Sequence, residues 1–122
     1  MKIYRRDEFL KLPAGTIFAK GKPQYFESLS VKADSLPNDF IYRQLVWFES
    51  HGDTGDEFDQ GFRFEAMVDH GASFPMNQSY GRDGCFDNED LFLVYERADL
   101  LELRGVLDAA LALPSPQQQE MK

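Results

Sequence analysis

Apolar and polar positions alternate most regularly in the stretch that follows Pro23. Tyr25, Leu29, Val31 and Ala33 share one face of an extended chain, and Phe26, Ser28, Ser30 and Lys32 share the other. A period of two of this kind marks a strand half exposed to water. Ser35-Leu36-Pro37-Asn38-Asp39 is turn chemistry, and beyond it Phe40–Phe48 is apolar on both faces. Its aromatic and β-branched residues favour a central strand over a helix, paired with Tyr25–Asp34 as a long hairpin.

Upstream, Lys2–Tyr4 reads as a short strand and Asp7–Leu12 as one or two helical turns that Pro13 ends. Pro13-Ala14-Gly15 makes a turn, and Thr16–Lys20 is a strand closed by Gly21-Lys22-Pro23. Downstream, Thr54-Gly55-Asp56-Glu57 matches a capping box, which predicts a helix start. Phe58, Phe62 and Ala66 then recur at helical spacing, with Gly71 placed to terminate the helix after His70.

Ala72–Asp90 has no sustained period and reads as a long ordered loop. Leu91–Glu96 is a buried strand. Asp99-x-x-Glu102 predicts a second helix start, followed by an apolar stripe of Leu100, Leu103, Val106, Leu107, Ala110 and Leu111 up to Pro114. These elements predict one α+β domain over residues 1–113, with an antiparallel sheet of three to four strands and two capped helices packed on one face. Residues 114–122, with three consecutive glutamines, read as a disordered tail.

Composition narrows the function classes. Among 122 residues there are 11 Phe, 5 Tyr and 1 Trp, enough to hold a small core without covalent staples. The single cysteine, Cys85, forms no intramolecular disulfide, and no apolar run is long enough to span a bilayer, so the expected setting is the cytoplasm with no membrane contact. A net charge of −8 disfavours direct nucleic-acid binding, which depends on Lys and Arg neutralising phosphates.

The charge is also lopsided. Residues 1–48 carry +3, residues 49–90 carry −9 and residues 91–122 carry −2. The middle stretch supplies the candidate contact residues: Asp53, Asp56, Glu57 and Asp59 at the predicted helix start, and Tyr80, Arg82, Asp83, Phe86, Asp87, Glu89 and Asp90 in the loop. Two glycines, two aromatics and one arginine among four carboxylates make Tyr80–Asp90 look like a recognition loop. Such a surface attracts a basic protein partner through salt-sensitive encounters.

Catalytic and cofactor chemistry finds less support. Counting from Asp83, the loop fails the EF-hand pattern, with Cys85 at the third position and Val94 at the twelfth. His51 and Asp53, with His70, are two histidines lacking a clear third ligand, and an acidic helix start explains the carboxylates as well. Neighbouring carboxylates disfavour a Cys85 thiolate, which leaves Cys85 as a small buried hydrophobe. No phosphate-cradling glycine motif occurs, and no cofactor or metal is expected. An alternative reading is a small-molecule- or nucleotide-binding protein, or an enzyme, with an aromatic pocket around Tyr80, Arg82, His51 and Asp53.

The opening Glu8-Phe9-Leu10-Lys11-Leu12-Pro13-Ala14-Gly15-Thr16 resembles that of small proteins encoded by phages and prophages, many of which read E-F-L-x-L-P-x-G-T. The resemblance implies a setting among accessory viral genes, where small acidic inhibitors of host defence proteins are common. It brings no contact residues with it. The expected function is therefore a non-enzymatic binding protein, a phage accessory factor occluding a basic, nucleic-acid-binding site on a host defence protein.

Overall fold

The computed structural model describes residues 1–46, 62–76 and 80–114. The chain order is β1 (Lys2–Arg5), α1 (Arg6–Phe9), β2 (Ile17–Lys22), β3 (Tyr25–Phe26), β4 (Ser30–Leu36), β5 (Asp39–Gln44), α2 (Phe62–His70), β6 (Gly81–Arg82), β7 (Leu91–Val94) and α3 (Arg97–Leu111). The strands form an antiparallel sheet in the order β1-β7-β2-β4-β5-β6, with the short β3 paired to β2.

The α+β class is as expected, but among the described residues the sheet has seven strands where three or four were anticipated. Two short strands account for much of the difference. The segment read as one strand from Tyr25 to Asp34 breaks into β3 and β4, because β3 folds back onto Gly21 and Lys22 while β4 turns to pair with β5. Gly21 permits that close return, since a Cβ there would meet the Tyr25 carbonyl and the Phe26 backbone. The loop before Asp90 contributes β6, paired to β5 through Ile41–Arg82 and Tyr42–Gly81.

One face of the sheet carries the core. Cross-strand register brings Phe18 opposite Val94 and Lys20 opposite Phe92, so the side chains of β2 and β7 at these positions share a face. Helix α1 lies over that face and inserts Phe9, which is fully buried. Its ring stacks on Phe92 with centroids 4.1 Å apart and planes 9° from parallel, and it meets Phe18 at 4.7 Å and Phe40 edge-on at 5.1 Å. Four phenylalanines thus supply the centre of a small hydrophobic core.

The other two helices differ from expectation. Neither α2 nor α3 contributes a buried residue, so the helix that packs on the sheet is α1, read from sequence as a mere turn or two. Helix α3 begins at Arg97, two residues before the position expected, with Glu96 as its N-cap residue. Asp99 acts as the reciprocal member of the cap: its Oδ2 accepts the Glu96 N–H at 2.8 Å. Gly71 does end α2, with φ of +65° and the Ala72 N–H returning to the Ala66 carbonyl at 3.1 Å. The Thr54 capping box and the tail from Ser115 lie outside the described residues.

Candidate functional site

Sheet register assembles a row of charges at one end of the core face. Arg5 and Gly21 both pair with Leu91, one from β1 and one from β2. The next residues outward are therefore Arg6, Asp90 and Lys22, side by side across three strands. Lys20 shares the face of Phe18 and reaches the same end. Four positive groups come from the first third and from β6, and the carboxylates opposite them come from β5 and the loop.

Arg6 is the hub. Its Nε and Nη2 donate to the Asn38 carbonyl at 3.3 and 2.9 Å, and its Nη1 donates to Asp83 Oδ2 at 3.1 Å. Asn38 adopts a φ of +57°, a left-handed conformation that asparagine tolerates, at the tight turn between β4 and β5. Asp39 Oδ1 stands 3.5 Å from Nη2 and Asp90 Oδ2 stands 4.0 Å from Nη1. The guanidinium also lies 5.7 Å from the Phe40 ring and 5.9 Å from the Phe86 ring. With 4 % of its surface exposed, Arg6 is a buried cation surrounded by compensating groups.

Asp39 has no solvent exposure. Its Oδ1 accepts the Phe40 N–H at 2.8 Å and the Gly84 N–H at 3.1 Å, and its Oδ2 accepts Arg82 Nε at 2.7 Å. Burial alone raises the carboxyl pKa, but the Arg82 and backbone bonds outweigh it and hold the group below its ordinary range. Asp83 is shared between Arg6 and Lys20, whose Nζ donates to Oδ1 at 2.8 Å. Asp83 Oδ2 also accepts the Cys85 N–H at 3.2 Å, fixing the turn that follows β6.

Asp90 Oδ1 pairs with Lys22 at 3.0 Å. Its buried Oδ2 faces Lys20 Nζ at 3.3 Å. Asp87 pairs with Lys22 and turns its Oδ1 back to the Glu89 N–H at 2.9 Å. The Lys22 contact keeps the Asp87 carboxyl below its usual range, and Asp87 and Asp90 together push Lys22 upward. Burial pulls Lys20 down, yet its bonds to Asp83 and Asp90 leave it raised.

The structure therefore brings Arg82, Asp83, Asp87 and Asp90 together in ion pairs, Asp83 and Asp90 as internal struts and Arg82 and Asp87 at the surface. Asp83 and Asp90 are almost wholly buried in ion pairs with residues of the first third, and Asp87 is neutralised by Lys22. Arg82 is committed to Asp39. Tyr80, Phe86 and Glu89 are exposed on the same loop, and the Tyr80 ring lies 5.4 Å from the Arg43 guanidinium. Asp53, Asp56, Glu57, Asp59 and His51 lie outside the described residues. Cys85 is exposed, not the buried hydrophobe expected, because the turn fixed by Asp83 and Gly84 carries it outward.

Arg6, Lys20, Lys22 and Asp39 were not among the sequence candidates. The signal that could have found them is the opposite sign of the first and middle thirds. A cavity of about 290 Å³ lined by Arg6, Asp7, Leu10, Asn38, Phe86 and Asn88 opens beside this cluster. Its arginine is already committed to Asn38 and Asp83, which removes the group that would hold an anionic ligand. No described helix is long and apolar enough to cross a membrane.

Comparison with known proteins finds no matching family model, no matching curated protein and no matching solved structure.

Proposed function

We propose that this chain is a non-enzymatic binding protein that presents the 80–90 loop to a protein partner. The observation that carries the reading is the division of labour within the loop. Its carboxylates Asp83 and Asp90 point inward and pin it to the sheet, while Tyr80 and Phe86 stand 55 % and 57 % exposed on the fixed segment. Rigid aromatic side chains on an anchored loop supply contact area at low entropic cost, as binding hot spots require.

The narrower proposal is a phage accessory factor that occludes a basic site on a host defence protein, in keeping with the opening motif. Phosphate imitation by Asp83, Asp87 and Asp90 does not fit their pairing. An anionic contribution then falls to Glu89 and to Asp53, Asp56, Glu57 and Asp59.

Affinity capture from host lysate at low and high salt tests both levels with three proteins. Tyr80→Ser with Phe86→Ser is expected to lose the partner at either salt concentration. Replacement of Asp53, Asp56, Glu57 and Asp59 by their amides is expected to weaken capture at low salt and to flatten its salt dependence. If both variants retained the partner as the parent chain does, the loop-presentation reading would be wrong.

A further inference from the structure

Helix α3 leaves the second half of its apolar side unmatched, beyond the half-buried Leu100 and Leu103. From Arg104 to Leu111 every residue is exposed, including Val106, Leu107 and Leu111 at 63 %, 54 % and 82 %. A helix of 15 residues is about 22 Å long, and helices of this length are marginal in water without a packed face. A partner that covered the second half of α3 would stabilise it.

The pattern on α3 identifies the cover. Leu100, Leu103, Leu107 and Ala110 follow a three-four-three spacing, which is the a and d seam of a coiled coil over two heptads. In that register Arg97 and Arg104 take e positions and Asp99 takes a g position. A parallel pair of α3 helices sets Asp99 of each copy beside Arg104 of the other, twice by symmetry. An antiparallel pair sets the e positions against each other and so confronts Arg104 with its own counterpart. Within one copy Asp99 receives the Met1 amine and the Glu96 N–H through Oδ2, and Arg104 Nε stands 3.8 Å from Asp108 Oδ2, both at the surface where such pairs exchange readily. The charges flanking the stripe thus complement a second copy in one orientation and repel it in the other.

We infer that a second copy of this chain covers the stripe, forming a parallel two-fold pair of α3 helices. The dimer places two 80–90 loops on one particle, an arrangement that strengthens attachment to a multivalent target without any new contact.

Sedimentation equilibrium on the full chain tests the pairing, and oxidative cross-linking tests its orientation. The chain is expected to sediment at twice its mass, and Leu107→Asp is expected to sediment as a monomer with an unchanged circular dichroism spectrum in the strand region. In a Cys85→Ser background, Leu103→Cys is expected to form an intermolecular disulfide, because parallel d positions bring the sulfurs together, while Glu102→Cys is not. A monomeric parent chain would overturn the proposal and assign the stripe to a different protein. A dimer indifferent to Leu107→Asp, or one in which Leu103→Cys fails to cross-link, would overturn it equally.

Discussion

Arg6 and Asp83 stand 77 residues apart in sequence and are joined by a 3.1 Å hydrogen bond, with 4 % and 2 % of their side chains exposed. The bond ties the strand-to-helix junction of β1 and α1 to the turn after β6. Breaking a buried pair leaves one charge uncompensated and costs about 3–5 kcal/mol. Arg6→Met is expected to destabilise by that order in urea unfolding. The double variant Arg6→Met with Asp83→Asn is expected to fall short of the sum of the single losses, because the second change removes a carboxylate the first left unpaired. Additive losses would mean the two residues do not interact in solution.

Asp39 sets an acid limit. Its burial raises the carboxyl pKa, and its bonds from Arg82, Phe40 and Gly84 more than reverse this, so the folded value lies below the unfolded value of about 3.9. A depressed acid contributes stability that is complete above the unfolded value and is lost as pH falls through the folded one. Urea midpoints measured down a pH series are expected to drop in this window below about pH 4. Asp39→Asn is expected to lower stability at neutral pH and to flatten that acid decline. A variant with the parent's acid profile would assign the decline to other carboxylates.

Lys32 sets a slope of the same sign at the alkaline end. It is 2 % exposed, with its Nζ donating to Ser35 Oγ at 2.7 Å and to the Ala33 carbonyl at 3.1 Å. Its ammonium lies 5.9 Å from the Phe9 ring. Burial holds its pKa below the ordinary lysine value, the distant Asp34 charge notwithstanding. The unfolded chain then binds the proton more tightly than the folded one, so stability rises with pH toward the unfolded value of about 10.4. Lys32→Met keeps the stem packing and removes the titration. Thermal melts from neutral to alkaline pH are expected to lose this rising component in the variant, and an unchanged profile would contradict the assignment.

The β4–β5 hairpin and the end of α2 were legible because both are local. Pro37-Asn38 marks the β4–β5 turn, and Gly71 marks the end of α2, through backbone conformations that the residue types themselves favour. What stayed hidden depends on contacts distant in sequence. Phe9 sits in a segment too short for helical periodicity, yet it centres the core because β7 brings Phe92 beneath it. The loop carboxylates showed their number but not their direction. Their inward turn is set by Arg6, Lys20 and Lys22, which the sequence spreads over separate elements and only the β1-β7-β2 order brings together.

The central claim is that Asp83 and Asp90 hold the loop and do not face a partner. Urea unfolding of Asp83→Asn, Asp90→Asn and Glu89→Gln, measured side by side, tests it most directly. Asp83→Asn and Asp90→Asn are expected to lose stability of order 3–5 kcal/mol, as buried ion pairs do when one member is removed, while Glu89→Gln stays within about 0.5 kcal/mol of the parent. Three variants all as stable as the parent chain would mean that these acids are free surface groups, contradicting the account.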